Sequence, residues 1–388
     1  MNESVKLVLE PHPDIELGVE RKEIEAFLTM PARGITPDTG VIMVVNGLGE
    51  PANSDYQQNV LRPYLADKLN CIAVGVNYFG VYRNSQIQIR PSFLYNINRI
   101  YGLNLSMESF AGAQNGVEIY RIIAEAVLAK GVTSLDLRCQ PHLITGKDEY
   151  QSWGFLPAID CLQVLGEVLQ KYDLNKHRIL ALGKHYGGYI ALLMGKYAPH
   201  TFSAVIDCNG YSRAELKHIV SGELMEPDYM FSFNLNNDMK FYIASACNNP
   251  WTIEDESSPQ YFSDSHRMIR SLLYEKHRVQ SGTCYYIYHS EDNGMTSIYD
   301  KDRCVEILQR YNTVFYNRIP AGEKEAEPTD IELFDRLLAK HRENLQKPDD
   351  DTDFSLNSSH TFECNGQDYI FSYDDRKVQV KISPSGEI

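Results

Sequence analysis

The sequence predicts an α/β protein with a mostly parallel central sheet flanked by helices, helical cap insertions and a C-terminal β-meander. Three observations carry that expectation. Fully apolar strand-like runs alternate with amphipathic helical segments; a glycine-hemmed strand-to-helix turn lies in "RILALGKHYGGYIALLMGKYAP", Arg178 to Pro199; and the tail alternates with period two.

Taken in order, "KEIEAFLTM" gives a first strand, and "GVIMVVNGLGE" a second whose uninterrupted apolar run implies burial on both faces. The helix "DYQQNVLRPYLADKLN" and the buried strand "CIAVGVNYFG" complete a βαβ unit. The alternation then lapses over an insertion at about 81–150, which includes the helical "SMESFAGAQNGVEIYRIIAEAVLAKG" and the polar loop "QPHLITGKDEYQ". It resumes with the helix "GFLPAIDCLQVLGEVLQKY", the strand "HRILALG", the helix from Tyr186 and the strand "FSAVIDCNG". A second insertion, 211–282, is aromatic, Met-rich and polar by turns, and reads as a lid or cap over the C-terminal edge of the sheet. Strand "TCYYIYHSEDNG", helix "IYDKDRCVEILQRY", strand "NTVFYNRIP" and helix "DIELFDRLLAKHRENLQK" close a domain spanning 1–350. Residues 351–388, with "NGQ" and "DDRK" turn signals, form a β extension packed on it.

A length of 388 residues suits one large domain with insertions. The net charge of −15 excludes electrostatic attachment to nucleic acid or to an anionic membrane, both of which need clustered Lys and Arg. With no signal-peptide pattern and no bilayer-length apolar run, the expected location is cytoplasmic. The 8 cysteines lack CxxC or Cys/His spacing and read as structural thiols. No cofactor is expected; the partners expected are a small-molecule ligand or a protein, and homo-oligomerisation stays open.

The turn Gly183-Lys184-His185-Tyr186-Gly187, followed by Gly188 and Tyr189, resembles the nucleophile elbow of the α/β-hydrolases in its prolyl-oligopeptidase and esterase version, with histidine where serine stands. The strand ending in "VNGLGE" is similar to the loop that completes an oxyanion hole; the resemblance implies backbone donors at Gly47 or Leu48, with Tyr186. The strand ending in "HSEDNG" implies Asp292 as the triad acid. The triad histidine belongs in the loop after the last strand, "NRIPAGEKEAEPTD" from Asn317 to Asp330, which contains none. His341 lies in an amphipathic helix and reads as solvated; His360 opens the meander and reaches the site only if the tail folds back. His289 reads as a packed strand histidine, with replacement base as the alternative role.

Over most of its length, through "WGFLPAIDCLQVL", "GKHYGGYIALLMGKYAP", "AVIDCNGYSR" and "YIYHSEDN", the chain also resembles a bacterial family of α/β-hydrolase-like proteins of unknown function. That family's pattern implies Ser at the elbow and a His-Gly motif before the last long helix, and this chain departs from both. The expectation is a pseudo-hydrolase that binds a small molecule, sugar, acyl group or peptide without cleaving it. The alternative is an active acyl hydrolase, carboxylesterase- or peptidase-like, that uses His185 with Asp292, helped by Lys184 or His289. A metal site from His185, His289 and Asp292 lacks ligand spacing, and no nucleotide loop is present.

Overall fold

The computed structural model describes residues 2–81, 86–89, 91–113, 116–132, 135–137, 142–144, 149–220, 229–236, 239–247, 250–322, 330–341, 345–374 and 376–386. The chain divides into two compact units, one made of residues 1–81, 152–214 and 263–388, the other of 82–151 and 215–262.

Among the described residues, the first unit holds an eight-stranded sheet: β1 (Ser4–Leu9), β2 (Ile24–Thr29), β3 (Gly40–Val45), β4 (Cys71–Asn77), β5 (Ile179–Lys184), β6 (Ala204–Cys208), β7 (Cys284–Ser290) and β8 (Thr313–Ile319). Their spatial order is β1-β2-β4-β3-β5-β6-β7-β8. The pairs β1/β2 and β2/β4 are antiparallel and every other pair is parallel. This is the α/β-hydrolase arrangement. The apolar runs explain the order: β3, β4 and β6 are buried at every residue and occupy the middle, whereas β1 alternates between exposed and half-buried and sits at an edge.

Helix α1 (Arg62–Leu69) follows β3. It is preceded by a π-helical turn, Gln57–Leu61, placed so that Pro63, which has no N–H to give, falls in the next turn. Leu61, Leu65, Ala66 and Leu69 pack with Ile42, Val44, Leu180, Leu182 and Ile206. Helix α2 (Phe155–Lys171) and helix α3 (Tyr186–Tyr197) pack against each other and against the sheet. Helices α4 (Asp264–Arg270), α5 (Ile298–Gln309) and α6 (Asp330–His341) complete the unit, and Leu333, Phe334 and Leu337 of α6 join the same core as α1.

The tail forms the meander expected from its period: β9 (Ser359–Cys364), β10 (Gln367–Tyr373) and β11 (Val378–Pro384). Asn365 and Gly366 both adopt positive φ, 48° and 87°, which is what a two-residue hairpin turn with the right twist demands. Phe155 of α2 meets Tyr369 and Phe371 of β10 edge-on at 5.6 and 6.3 Å. Gly166, in mid-helix, lets the Arg376 carbonyl approach so closely that an added Cβ would lie 2.2 Å from it. Two bidentate ion pairs are almost wholly buried here: Arg270 with Glu16, and Arg21 with Asp160 at 2.7 Å.

The second unit is richer in strand than the sequence suggests. Tyr229–Asn236 and Met239–Cys247 pair antiparallel, and Leu135–Leu137, His142–Ile144 and Gln86–Gln88 extend that sheet. Helices Pro91–Tyr101 and Gly116–Leu128 share an apolar cluster that includes Phe93, Ile97, Tyr120 and Ile123. Trp251 packs edge-on against Tyr150 and Phe262. Much of the polar loop expected at 140–151 and of the Met-rich stretch at 221–228 lies outside the described residues.

Gly188 is among the most constrained points of the first unit, since a Cβ there would lie 2.2 Å from the Asp207 Oδ1 carboxylate oxygen. Gly188→Ala is therefore expected to lower stability by about 3 kcal/mol or more. Gly294→Ala, where a Cβ meets nothing within 4 Å, should leave it unchanged. Urea-unfolding midpoints of the two variants check this.

Candidate functional site

The turn between β5 and α3 is strained at its apex. His185 has φ 48° and ψ −116°, a conformation that β-carbon-bearing residues rarely adopt. It is held from both ends: the His185 amide donates to the Cys208 carbonyl at 2.8 Å, and its own carbonyl accepts from Tyr189 N at 3.1 Å. The flanking glycines have no room for side chains. A Cβ on Gly183 would lie 2.2 Å from the Gly187 carbonyl carbon, and one on Gly187 2.3 Å from the Val45 carbonyl oxygen. The helix N-terminus is thereby pressed onto the end of β3. This is the geometry of a nucleophile elbow, with imidazole at the apex.

Around the apex lies a cavity of about 180 Å³, and Asn46, Gly47, Glu50, Gln57, Lys184 and His185 supply its polar lining. Of the residues expected from sequence, Gly47, Lys184 and His185 thus share one wall system, while Leu48 does not line it. Tyr186 opens α3, at the position whose amide a helix directs out of its N-terminus. Its side chain is turned into the core: the ring packs on Trp153 at 4.9 Å and on Tyr78 at 6.3 Å, and its hydroxyl accepts from Gly154 N. The Gly47 loop is fixed by Tyr78, whose hydroxyl donates to the Asn46 and Gly47 carbonyls at 2.8 and 3.2 Å. Among the described residues, Asn46 Oδ1 and Gln57 Oε1 are buried and accept no hydrogen bond.

Asp292 sits in the loop after β7, exposed, and its Oδ2 accepts from the Gly322 amide. Gly322 belongs to the loop after β8, so the loop that carries Asp292 is joined to it. Residues 323–329 of that loop lie outside the described residues, and the stretch from Asn317 to Asp330 contains no histidine. His341 differs from the solvated residue expected: its ring packs on Phe315 at 4.3 Å and on Tyr286 at 5.2 Å. His360 is bonded to Asp353 at 2.6 Å.

His289 is wholly buried, with Nε2 at 3.2 Å from Thr296 Oγ1, and no hydrogen-bond partner for Nδ1 among the described residues. Burial first, then the nearby positive charge of Lys301, pushes its pKa down to about 3, and the electrostatic influence of His185 acts in the same direction. A histidine held neutral this firmly is a poor acceptor for a catalytic proton at neutral pH. Beside it runs an ion pair that the sequence reading missed, Lys301 Nζ to Asp207 Oδ2 at 2.6 Å, with both side chains inaccessible. The other Asp207 oxygen accepts from Gly210 N. The signal was available in α5, where Lys301 falls on the buried stripe with Cys304, Val305 and Leu308.

His289, His277 and His266 all have pKa values lowered mainly by burial, to about 3, about 3 and about 4. Each stays neutral in the folded state and protonates on unfolding below its ordinary value near 6.5. The contribution of these three histidines to stability should therefore be flat above pH 7 and fall as pH drops from 6.5 towards 4, each histidine adding up to about 1.4 kcal/mol per pH unit. Thermal melts across that range check this, with a shallower decline expected in His289→Gln.

No helix among the described residues is long and apolar enough to cross a membrane. Several solved structures resemble the chain. An acylaminoacyl peptidase from Pyrococcus horikoshii is 14% identical, with a TM-score of 0.47, over 90% of this chain and 42% of that one. A lipase/esterase from Lactobacillus plantarum is 7% identical, with a TM-score of 0.43, over 89% and 99%. A thermostable esterase is 14% identical, with a TM-score of 0.40, over 88% and 61%. The chain thus spans about two fifths of the peptidase's length. No curated protein matches it. Residues 7–317 match a single family model, and by that match the chain belongs to the family described as "Protein of unknown function (DUF2920)".

Proposed function

We propose that this protein is a non-hydrolytic α/β-hydrolase-fold protein, whose elbow cavity binds a small ligand without cleaving it. The observation that carries the reading is the elbow itself: the strained apex is kept, but it presents His185, and the loop that Asp292 contacts has no histidine to act as base. A triad lacking its nucleophile and its base keeps only the oxyanion donors and binding, at a cost of several orders of magnitude in rate.

The cavity's contents favour a small ligand with hydrogen-bond donors. Asn46 Oδ1, Gln57 Oε1 and the Glu50 carboxylate are acceptors on its wall, and Lys184 adds a cation. At about 180 Å³ it is smaller than the roughly 300–1,000 Å³ of drug-sized sites. One sugar ring or a short acyl or amine fragment suits that volume better than a peptide segment.

Hydrolysis of p-nitrophenyl acetate and butyrate by wild type, His185→Ala and Asp292→Asn should not exceed that by free imidazole at matched concentration. Turnover well above imidazole that falls in both variants would overturn the reading and make His185 a nucleophile or base. Replacing the apex alone, His185→Ser, is expected to leave hydrolysis within about tenfold of background, because a serine there has no general base.

A further inference from the structure

His200, Asp353 and His360 come together in the first unit although 160 residues separate the first from the last. One candidate ligand atom from each lies within 4.8 Å of the others. His200 belongs to the turn between α3 and β6; Asp353 and His360 come from the segment that leads into and opens β9. With a rise of about 1.5 Å per residue, α3 sets this cluster roughly 20 Å from His185, at the helix end away from the elbow.

The carboxylate is wholly buried and already oriented. Asp353 Oδ2 accepts from the His200 amide and from Thr201 Oγ1, both at 2.9 Å, which leaves Oδ1 directed at His360 Nε2, 2.6 Å away. Such a set of bonds behind a ligand oxygen is what fixes carboxylate orientation in metal centres. The two imidazole rings face one another with centroids 5.7 Å apart and planes inclined at 38°. A tetrahedral ion about 2.0–2.1 Å from two imidazole nitrogens holds ring centroids roughly 5 Å apart, so small side-chain movements close the site. The His200 amide donates to Asp353 and its carbonyl accepts from Lys347, whereas His360 donates to Asp353 through its ring.

We propose that His200, Asp353 and His360 form a binding site for one borderline divalent cation of the zinc type, which clips the start of the C-terminal β extension to the end of α3. Two imidazoles and a carboxylate are the donor set such ions prefer over magnesium or calcium. On binding, the ion takes the place of the proton between His360 Nε2 and Asp353 Oδ1. That proton leaves to solvent from a charged ring, or is carried on Nδ1 of a neutral one, and the Nε2 lone pair becomes the ligand. Lys347, which donates to the His200 and Asp351 carbonyls, brings a positive charge near Asp353. The ion's charge is then met by the Asp353 carboxylate, while Asp349 pairs with Lys347 at 3.4 Å.

The test uses zinc chloride on the full chain and is independent of any ligand at the elbow. Wild type should retain one zinc per chain after gel filtration, and its melting temperature should rise by several degrees at one equivalent. His200→Ala removes a ligand while keeping the Asp353–His360 bond, so its metal-free melting temperature should match wild type while its zinc affinity falls about 100-fold or more. His360→Gln should lose affinity likewise. No retained zinc in wild type, or wild-type affinity in either variant, overturns the proposal.

Discussion

The close approach of Gly183, Gly187 and Gly188 to their neighbours is the constraint on which the first unit turns. Each lies where a single methyl group would collide with backbone or with a buried carboxylate, so the crossing from β5 to α3 can be made only at one separation. That separation fixes how β3 meets the helix N-terminus, and with it the positions of Gly47, His185 and the Tyr186 amide. The apex side chain borders a cavity. The three glycines set the crossing whichever side chain stands at the apex, which is why an intact turn by itself says little about the reaction performed.

Buried charge supplies the second layer of specification. Lys301–Asp207 ties α5 to β6, Arg270–Glu16 ties α4 to the N-terminal segment, and Arg21–Asp160 ties that segment to α2. Pairs of this kind add little net stability over apolar replacements, but losing one partner leaves an uncompensated charge costing about 3–5 kcal/mol. Here they join pieces of chain far apart in sequence, so a slipped helix or strand would strand an ion.

The central strands and the elbow were legible in the sequence because their signals are local: continuous apolar runs for β3 and β6, three glycines around one residue, an Asn-Gly turn in the tail. What stayed hidden is long-range. Asp207 looked like one polar residue in an apolar strand, and Lys301 like one more charge on a helix, until the fold set them 2.6 Å apart. His341 read as solvated because its helix is amphipathic, yet it is half-buried, with its ring against Phe315 and Tyr286. His200 and Asp353 carried no signal at all, since no short spacing links them. The strands of the second unit were obscured by polar and aromatic residues mixed at similar frequency, which gives neither the helical nor the strand period clearly.

The contact of the meander with α2 bears on how the protein is made. His12 Nε2 accepts from Val380 N, and Phe155 and Gly166 of α2 lie against β10 and the turn that follows it. On a translating ribosome, residues 12, 155 and 166 emerge long before residues 369–380 exist. Until those last strands arrive, the nascent chain must leave one flank of α2 uncovered. That interval is when it is most open to chaperones, proteases and association with its own copies.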